Sequence, residues 1–180
     1  MRDYSGQKEE IKTIQERTIK VSLSDADCIR ITNLCGEHGL TVGKLIKNFI
    51  GDLVDGTYSN GSDERMYAKQ WFKRCYFGMF PEPTLLRHLL YNGYEPEDYM
   101  NYLGYIETAK EEIKYLEEHP EEAEDGEIEN LNEEIEHWQE ELEYMRDGWT
   151  EKDDHSMEEE LLVIKSWLKD KWSLIEQSDG

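Results

Sequence analysis

The spacing of apolar residues in the C-terminal half constrains the fold of this chain most strongly. Apolar side chains recur at alternating steps of three and four residues, at Ile128, Leu131, Ile135, Trp138, Leu142 and Met145. A run with the same spacing precedes it, at Tyr99, Tyr102, Ile106, Ala109, Ile113 and Leu116. Such spacing places an apolar seam on one side of each helix, where it packs against a partner helix. Because the connection HPEEAEDGE is short, the sequence predicts an antiparallel helical hairpin.

The hairpin is predicted to belong to an acidic helical domain of residues 95–180. Pro96 suits the first position of a helix. Ser156 and Glu159 have the spacing of a capping box, which predicts the start of a last helix.

Residues 57–94 are predicted to form a helical connecting region before that domain. One helix is expected to start after Ser62 and to end near Gly78 and Pro81. A short apolar helix is expected to follow Thr84.

The N-terminal part combines a strand pattern with two helix patterns. Residues 1–16 are interpreted as an arm, and residues 17–23, RTIKVSL, alternate apolar and polar side chains as a half-buried strand does. Ser24 and Thr41 are then placed to cap two successive helices. The sequence therefore predicts a mostly α-helical chain with one short strand.

That strand-helix-helix order resembles the ribbon-helix-helix family of Arc- and MetJ-type repressors. The likeness covers residues 17–56 and lies in TIKVSLS, in the helix ending EHGLT, and in GKLIKNFIGDL. It implies a homodimer in which two protomers pair their strands into an antiparallel ribbon. It also implies DNA contacts, in which strand residues contact the bases and the start of the second helix lies near the phosphate backbone of the DNA. The residues concerned are Thr18, Lys20, Ser22, Thr41 and Lys44.

Charge is distributed very unevenly along the 180 residues. The net charge is −22, but residues 1–94 hold 12 acidic and 13 basic side chains, against 30 and 7 in residues 95–180. A globally basic nucleic-acid binder is therefore excluded. The ribbon-helix-helix-like module itself has five bases and five acids, so a purely dimerising module is the other interpretation of residues 17–56.

The acidic charge is concentrated around the predicted hairpin. Residues 117–160 contain 21 acidic side chains and only two basic ones. We interpret the hairpin as a surface that binds a basic partner in place of nucleic acid, and a merely solvated face is the alternative. The expected contacts are Glu117, Glu118, Glu129, Glu133, Glu136, Glu140 and Glu143.

In size, acidity and helical architecture, the whole chain is similar to the anti-CRISPR inhibitors of type II effectors. This resemblance implies a stoichiometric inhibitor whose carboxylates engage the arginines and lysines with which a guide-RNA-loaded effector holds DNA. Two alternatives are a ribbon-helix-helix transcriptional regulator acting on its own operon and an antitoxin with an acidic toxin-binding tail.

No motif in the sequence predicts catalysis. Walker, GxSxG, HExxH and paired CxxC patterns are missing, so we expect a protein that is not an enzyme and that needs no cofactor or metal. The sequence also has no run of about 18 apolar residues and no signal-like N-terminus. We therefore expect a cytoplasmic protein without a membrane partner, in the host cytosol if a phage encodes it.

Overall fold

The chain is mostly α-helical, as its sequence predicts. A computed structural model describes residues 5–75, 79, 82–150 and 156–176, and no strand occurs among them. Eight helices lie within these ranges: α1 (Ser5–Lys12), α2 (Asp25–Glu37), α3 (Val42–Val54), α4 (Ser62–Arg74), α5 (Leu85–Asn92), α6 (Pro96–Glu118), α7 (Glu127–Arg146) and α8 (Met157–Ile175).

The capping residues identified in the sequence begin the helices assigned to them. Ser24 Oγ accepts a hydrogen bond from Asp27 N at 3.1 Å, and Thr41 Oγ1 accepts one from Lys44 N at 3.2 Å. These contacts satisfy backbone N–H groups that a helix leaves without an internal partner. The helix predicted after Ser62 is α4, but it ends at Arg74, where Cys75 adopts an extended conformation. The predicted end near Gly78 and Pro81 was therefore too late in the sequence, and those two residues themselves lie outside the described residues.

The predicted N-terminal strand is not seen. Residues 17–23 form neither helix nor strand, and Ile19, Val21 and Leu23 are all more than half exposed. A strand is held by hydrogen bonds to a neighbouring strand, and no other described segment is a strand that could pair with residues 17–23. Of the predicted strand-helix-helix order, the structure therefore shows the two helices, α2 and α3, after an irregular segment.

The chain divides into two compact units. The first contains α1 to α4, and the second, residues 82–175, contains α5 to α8. The second unit begins before residue 95, where the sequence placed the domain, because α5 packs into its core. Leu85 and Leu89 of α5 are wholly buried in the same apolar cluster as residues of α6, α7 and α8.

The predicted hairpin is α6 and α7. Every position of the two apolar runs is buried or half-buried, including Tyr99, Ile106, Leu142 and Met145. The apolar spacing therefore identified the packed faces of both helices correctly. Helix α5 is held at the C-terminal end of α7, where His88 Nε2 lies 3.1 Å from Met145 O.

A buried carboxylate links two helices of the second unit. Glu160 in α8 is only 1% exposed, and its Oε2 accepts a hydrogen bond from Leu85 N at 2.8 Å. Leu85 is the first residue of α5, so the carboxylate lies at the positive end of that helix dipole. Glu160 thus caps a helix that is 75 residues away in sequence.

The first unit has a much smaller core. Of its described residues only Cys35, Gly51, Asp52 and Ala68 are buried. A side chain at Gly51 would come within 2.7 Å of the Tyr58 backbone, so α3 and the following turn meet there without one. Asp52 accepts hydrogen bonds from the backbone N and side-chain Nδ2 of Asn60, at 2.6 and 2.8 Å, and these bonds lower the pKa of its carboxyl.

Candidate functional site

Five glutamates form a single line along α7. Glu129, Glu133, Glu136, Glu140 and Glu143 are all exposed and are separated by steps of four and three residues. At 3.6 residues per turn, this line lies about 150° around the helix axis from the apolar seam, so it faces away from α6. We call these five residues the acidic stripe.

The spacing of the acidic stripe is comparable to that of phosphates in DNA. Along α7 it presents one carboxylate for about every 5 Å of helix axis. One strand of duplex DNA presents one phosphate for roughly every 3.4 Å. The stripe is therefore a straight row of negative charge at a density within a factor of about two of a nucleic-acid strand.

The charges of the acidic stripe are not neutralised within the described part of the chain. The ion pairs found there are Lys12–Glu9, Arg30–Asp27, Arg65–Asp55 and Lys171–Glu95, and none includes a stripe residue. Arg146, at the end of α7, instead donates from Nε to Leu142 O at 3.3 Å. Opposite charges three or four residues apart stabilise a helix. In α7 only Glu143 and Arg146 have this spacing, and they form no ion pair.

Helix α6 contributes less to the acidic surface. Glu107 and Glu111 on its outer side alternate with Lys110 and Lys114. The outer side of α6 is therefore of mixed sign. Helix α6 as a whole holds seven acidic and two basic side chains, against eight and one in α7.

Acidic residues also surround the tip of the hairpin. Glu117 and Glu118, both predicted as contacts, are exposed at the end of α6, beside the turn that leads into α7. Tyr115 donates from its hydroxyl to Glu122 Oε2 at 2.8 Å, and this carboxylate raises the pKa of the Tyr115 hydroxyl. Sequence reasoning did not single out Glu122, because its position is fixed by a turn rather than by helical spacing.

The predicted DNA-binding residues lie in two separate segments of the structure. Thr18, Lys20 and Ser22 are exposed on the irregular segment before α2, and Thr41 and Lys44 are exposed at the start of α3. Thr41 has a defined structural role as the α3 cap. A surface shared by the two groups would require the ribbon that the resemblance implies.

The described residues contain no group of three or more His, Cys, Asp or Glu side chains arranged to hold a metal ion. Within the same ranges, no helix is both long and apolar enough to cross a bilayer.

Comparison with known proteins gives no relative for this chain. No protein-family model matches it, and neither a curated protein nor a solved structure matches it significantly.

A cluster of aromatic rings lies on another side of the hairpin. The rings of Tyr102 and Trp138 are stacked with centroids 4.8 Å apart, and Tyr105 lies 5.4 Å from Trp138. His137 also contacts the Trp138 ring, at 4.7 Å. The sequence predicted Tyr102 and Trp138 as seam residues but gave no signal for Tyr105, which lies outside the seam and is 50% exposed.

Proposed function

We propose that this protein is a stoichiometric inhibitor that occupies the nucleic-acid-binding site of an enzyme by presenting a row of carboxylates in place of phosphates. The observation that carries the proposal is the acidic stripe, which no described cation neutralises. Holding like charges in one row costs stability through repulsion. A cationic groove compensates for that cost when it binds the stripe.

The packing of α7 supports this function. Leu142 and Met145 are buried on the side of α7 that faces the rest of the unit, so the backbone that carries the stripe is fixed before binding. A preorganised charged surface loses little conformational entropy on association. Electrostatic attraction between opposite charges also accelerates the encounter with the partner.

The partner class that we propose is an RNA-guided type II nuclease loaded with its guide RNA. Such enzymes hold target DNA in a positively charged channel and read the PAM with arginines. A carboxylate row satisfies the same arginines and lysines. Cleavage is then prevented because target DNA does not bind, and the inhibitor needs no chemistry of its own.

A DNA-binding competition tests this function. Purified type II nuclease–guide complexes are mixed with the protein before or after a fluorescent target duplex, and binding is followed by fluorescence anisotropy. We expect DNA binding to be lost at about equimolar inhibitor when the inhibitor is added first, and the inhibition to weaken from about 50 mM to 200 mM salt. Full DNA binding by every complex at about tenfold molar excess of inhibitor would refute the proposal.

We further propose that the first unit forms a homodimer through residues 17–23 and α2, as the ribbon-helix-helix resemblance implies. The supporting observation is that its apolar side chains have little to pack against in one chain. Ile19, Val21, Leu23, Ile29 and Leu34 are all more than half exposed. A dimeric module of this kind is also what a DNA-binding autorepressor or an antitoxin requires.

Replacing Val21, which is 69% exposed in the single chain, by glutamate is expected to convert a dimer into a monomer. The reason is that a carboxylate would be buried without a partner between the two protomers. Sedimentation equilibrium should give twice the 21.4 kDa chain mass for the wild type and for the control Ser22→Glu, on the polar side of the strand pattern. A wild-type mass of one chain would contradict the dimer.

A further inference from the structure

The aromatic cluster of Tyr102, Tyr105 and Trp138 has polar edges that face water. The Trp138 indole N–H and the two tyrosine hydroxyls make no hydrogen bond to a described residue. Among the half-buried described residues, no buried side-chain N or O atom lacks a partner, so the Tyr102 hydroxyl and the Trp138 N–H reach solvent. Tyr105 is itself 50% exposed. Although Trp138 and Tyr102 pack against the core on one side, the cluster is open to solvent on the other.

Carboxylates flank this aromatic surface. Glu134 and Glu141 lie four residues before and three residues after Trp138, on the same side of α7. Glu134 is exposed and Glu141 is half-buried. The surface therefore places the half-exposed Tyr105 ring beside negative side chains, and an aromatic ring next to a carboxylate favours a cation.

Other aromatic surfaces of this chain already hold a cation of their own. Lys47 Nζ lies 4.1 Å above the Tyr58 ring, and Lys171 Nζ lies 5.2 and 5.5 Å from the centroids of Trp167 and Trp172. In the described part of the chain, no lysine or arginine lies over Tyr102, Tyr105 or Trp138. The hairpin aromatics thus have the surroundings of a cation site but no internal cation.

We infer that the surface formed by Tyr102, Tyr105, Trp138, Glu134 and Glu141 binds an arginine side chain of the partner protein. A guanidinium is planar and weakly hydrated, so it stacks on an aromatic ring while its N–H groups reach a carboxylate. A lysine ammonium is a compact, strongly hydrated charge and cannot do both equally well. The inference rests on the proposed function in that the arginine belongs to the basic enzyme that the acidic stripe engages.

The surface adds specificity that the stripe lacks. A row of carboxylates attracts any cationic groove, whereas stacked aromatic rings discriminate between arginine and lysine. Buried aromatic and arginine contacts also tend to dominate the binding energy of protein interfaces. The acidic stripe thus increases the association rate, and the aromatic surface of the same hairpin provides selectivity.

Peptide titrations test the arginine site without the nuclease. The full chain, labelled with ¹⁵N at the indole nitrogens of its five tryptophans, is titrated with deca-arginine and, separately, with deca-lysine. The Trp138 signal is identified by its loss in Trp138→Phe. We expect deca-arginine to shift that signal and to bind about fivefold more weakly to Tyr105→Ala, with deca-lysine affinity unchanged.

The control is Tyr91→Ala, which removes a tyrosine that is 83% exposed on α5. It should leave both peptide affinities unchanged. The inference is overturned if Trp138 does not respond to deca-arginine, or if Tyr105→Ala and Tyr91→Ala have the same affinity for it. If the chain binds deca-arginine through Trp138 and Tyr105 but inhibits no nuclease, the proposed function is wrong and the arginine site is still supported. Nuclease inhibition that Tyr105→Ala leaves unweakened overturns the arginine site alone.

Discussion

Reversing the charge of Glu133, Glu136, Glu140 and Glu143 to lysine is expected to abolish inhibition of DNA binding. Each reversal replaces an attraction to the cationic partner by a repulsion, at roughly 1 kcal/mol for a solvent-accessible pair. Four such changes amount to about 4 kcal/mol, or about 1,000-fold in affinity. The measurement is the inhibitor concentration that displaces half of the fluorescent duplex, with helicity checked by circular dichroism.

A second variant with the same change in net charge serves as the control. It carries lysine at Glu107, Glu111, Glu112 and Glu158, which are exposed in the same unit but lie outside the acidic stripe. We expect this variant to inhibit within a few-fold of the wild type, since long-range attraction alone is reduced. Equal losses in both variants would show that net charge rather than the row of carboxylates determines binding. Undiminished inhibition by the stripe variant would refute nucleic-acid mimicry.

The hairpin was predictable because its determinants are local in sequence. Apolar residues such as Ile135 and Leu142 recur with the period of a helix, and this period predicts which side of the helix is buried. The acidic stripe follows from the same period, because residues that alternate by four and three share one side of a helix. Caps such as Thr41 are equally local, since donor and acceptor lie three residues apart.

Features that depend on distant segments could not be predicted. Glu160 reads as one more glutamate in an acidic stretch, and only the packing of α8 against α5 reveals that it is buried. The exposed position of Tyr105 beside Trp138 likewise depends on how α6 and α7 are aligned. Residues 17–23 differ from these cases, because their alternating pattern is local but a strand forms only beside another strand. Among the described residues the structure contains no such neighbouring strand.

The N-terminal boundary of the second unit also depends on contacts between distant segments, so the sequence did not place it correctly. Leu85 and Leu89 form too short an apolar pattern to show which part of the chain covers them. In the structure they are wholly buried with Tyr99 and Ile164. Helix α5 therefore belongs to the hairpin unit, although a change in charge density near residue 94 separates the two in sequence.

Glu160→Ala is expected to destabilise the second unit by about 3 kcal/mol. The substitution leaves Leu85 N–H without its acceptor in a fully buried position, removes a charge from the start of α5, and opens a cavity. Glu160→Gln keeps an oxygen that can accept from Leu85 N, so it should cost only about 1 kcal/mol. If Glu160 stabilises α5 as a cap, Glu160→Ala should cost more stability than Glu160→Gln. If Glu160 is only an unfavourable buried charge, both substitutions should be neutral or stabilising.

Urea unfolding in a Trp71→Phe background measures this effect for the second unit alone. Trp71 lies in the first unit, whereas Trp138, Trp149, Trp167 and Trp172 all lie in the second, so the remaining fluorescence reports that unit. We expect the unfolding midpoint to fall much further for Glu160→Ala than for Glu160→Gln, with the slope of the transition unchanged. Losses below about 0.5 kcal/mol for both variants would mean that α5 is held by the burial of Leu85 and Leu89 and not by the carboxylate.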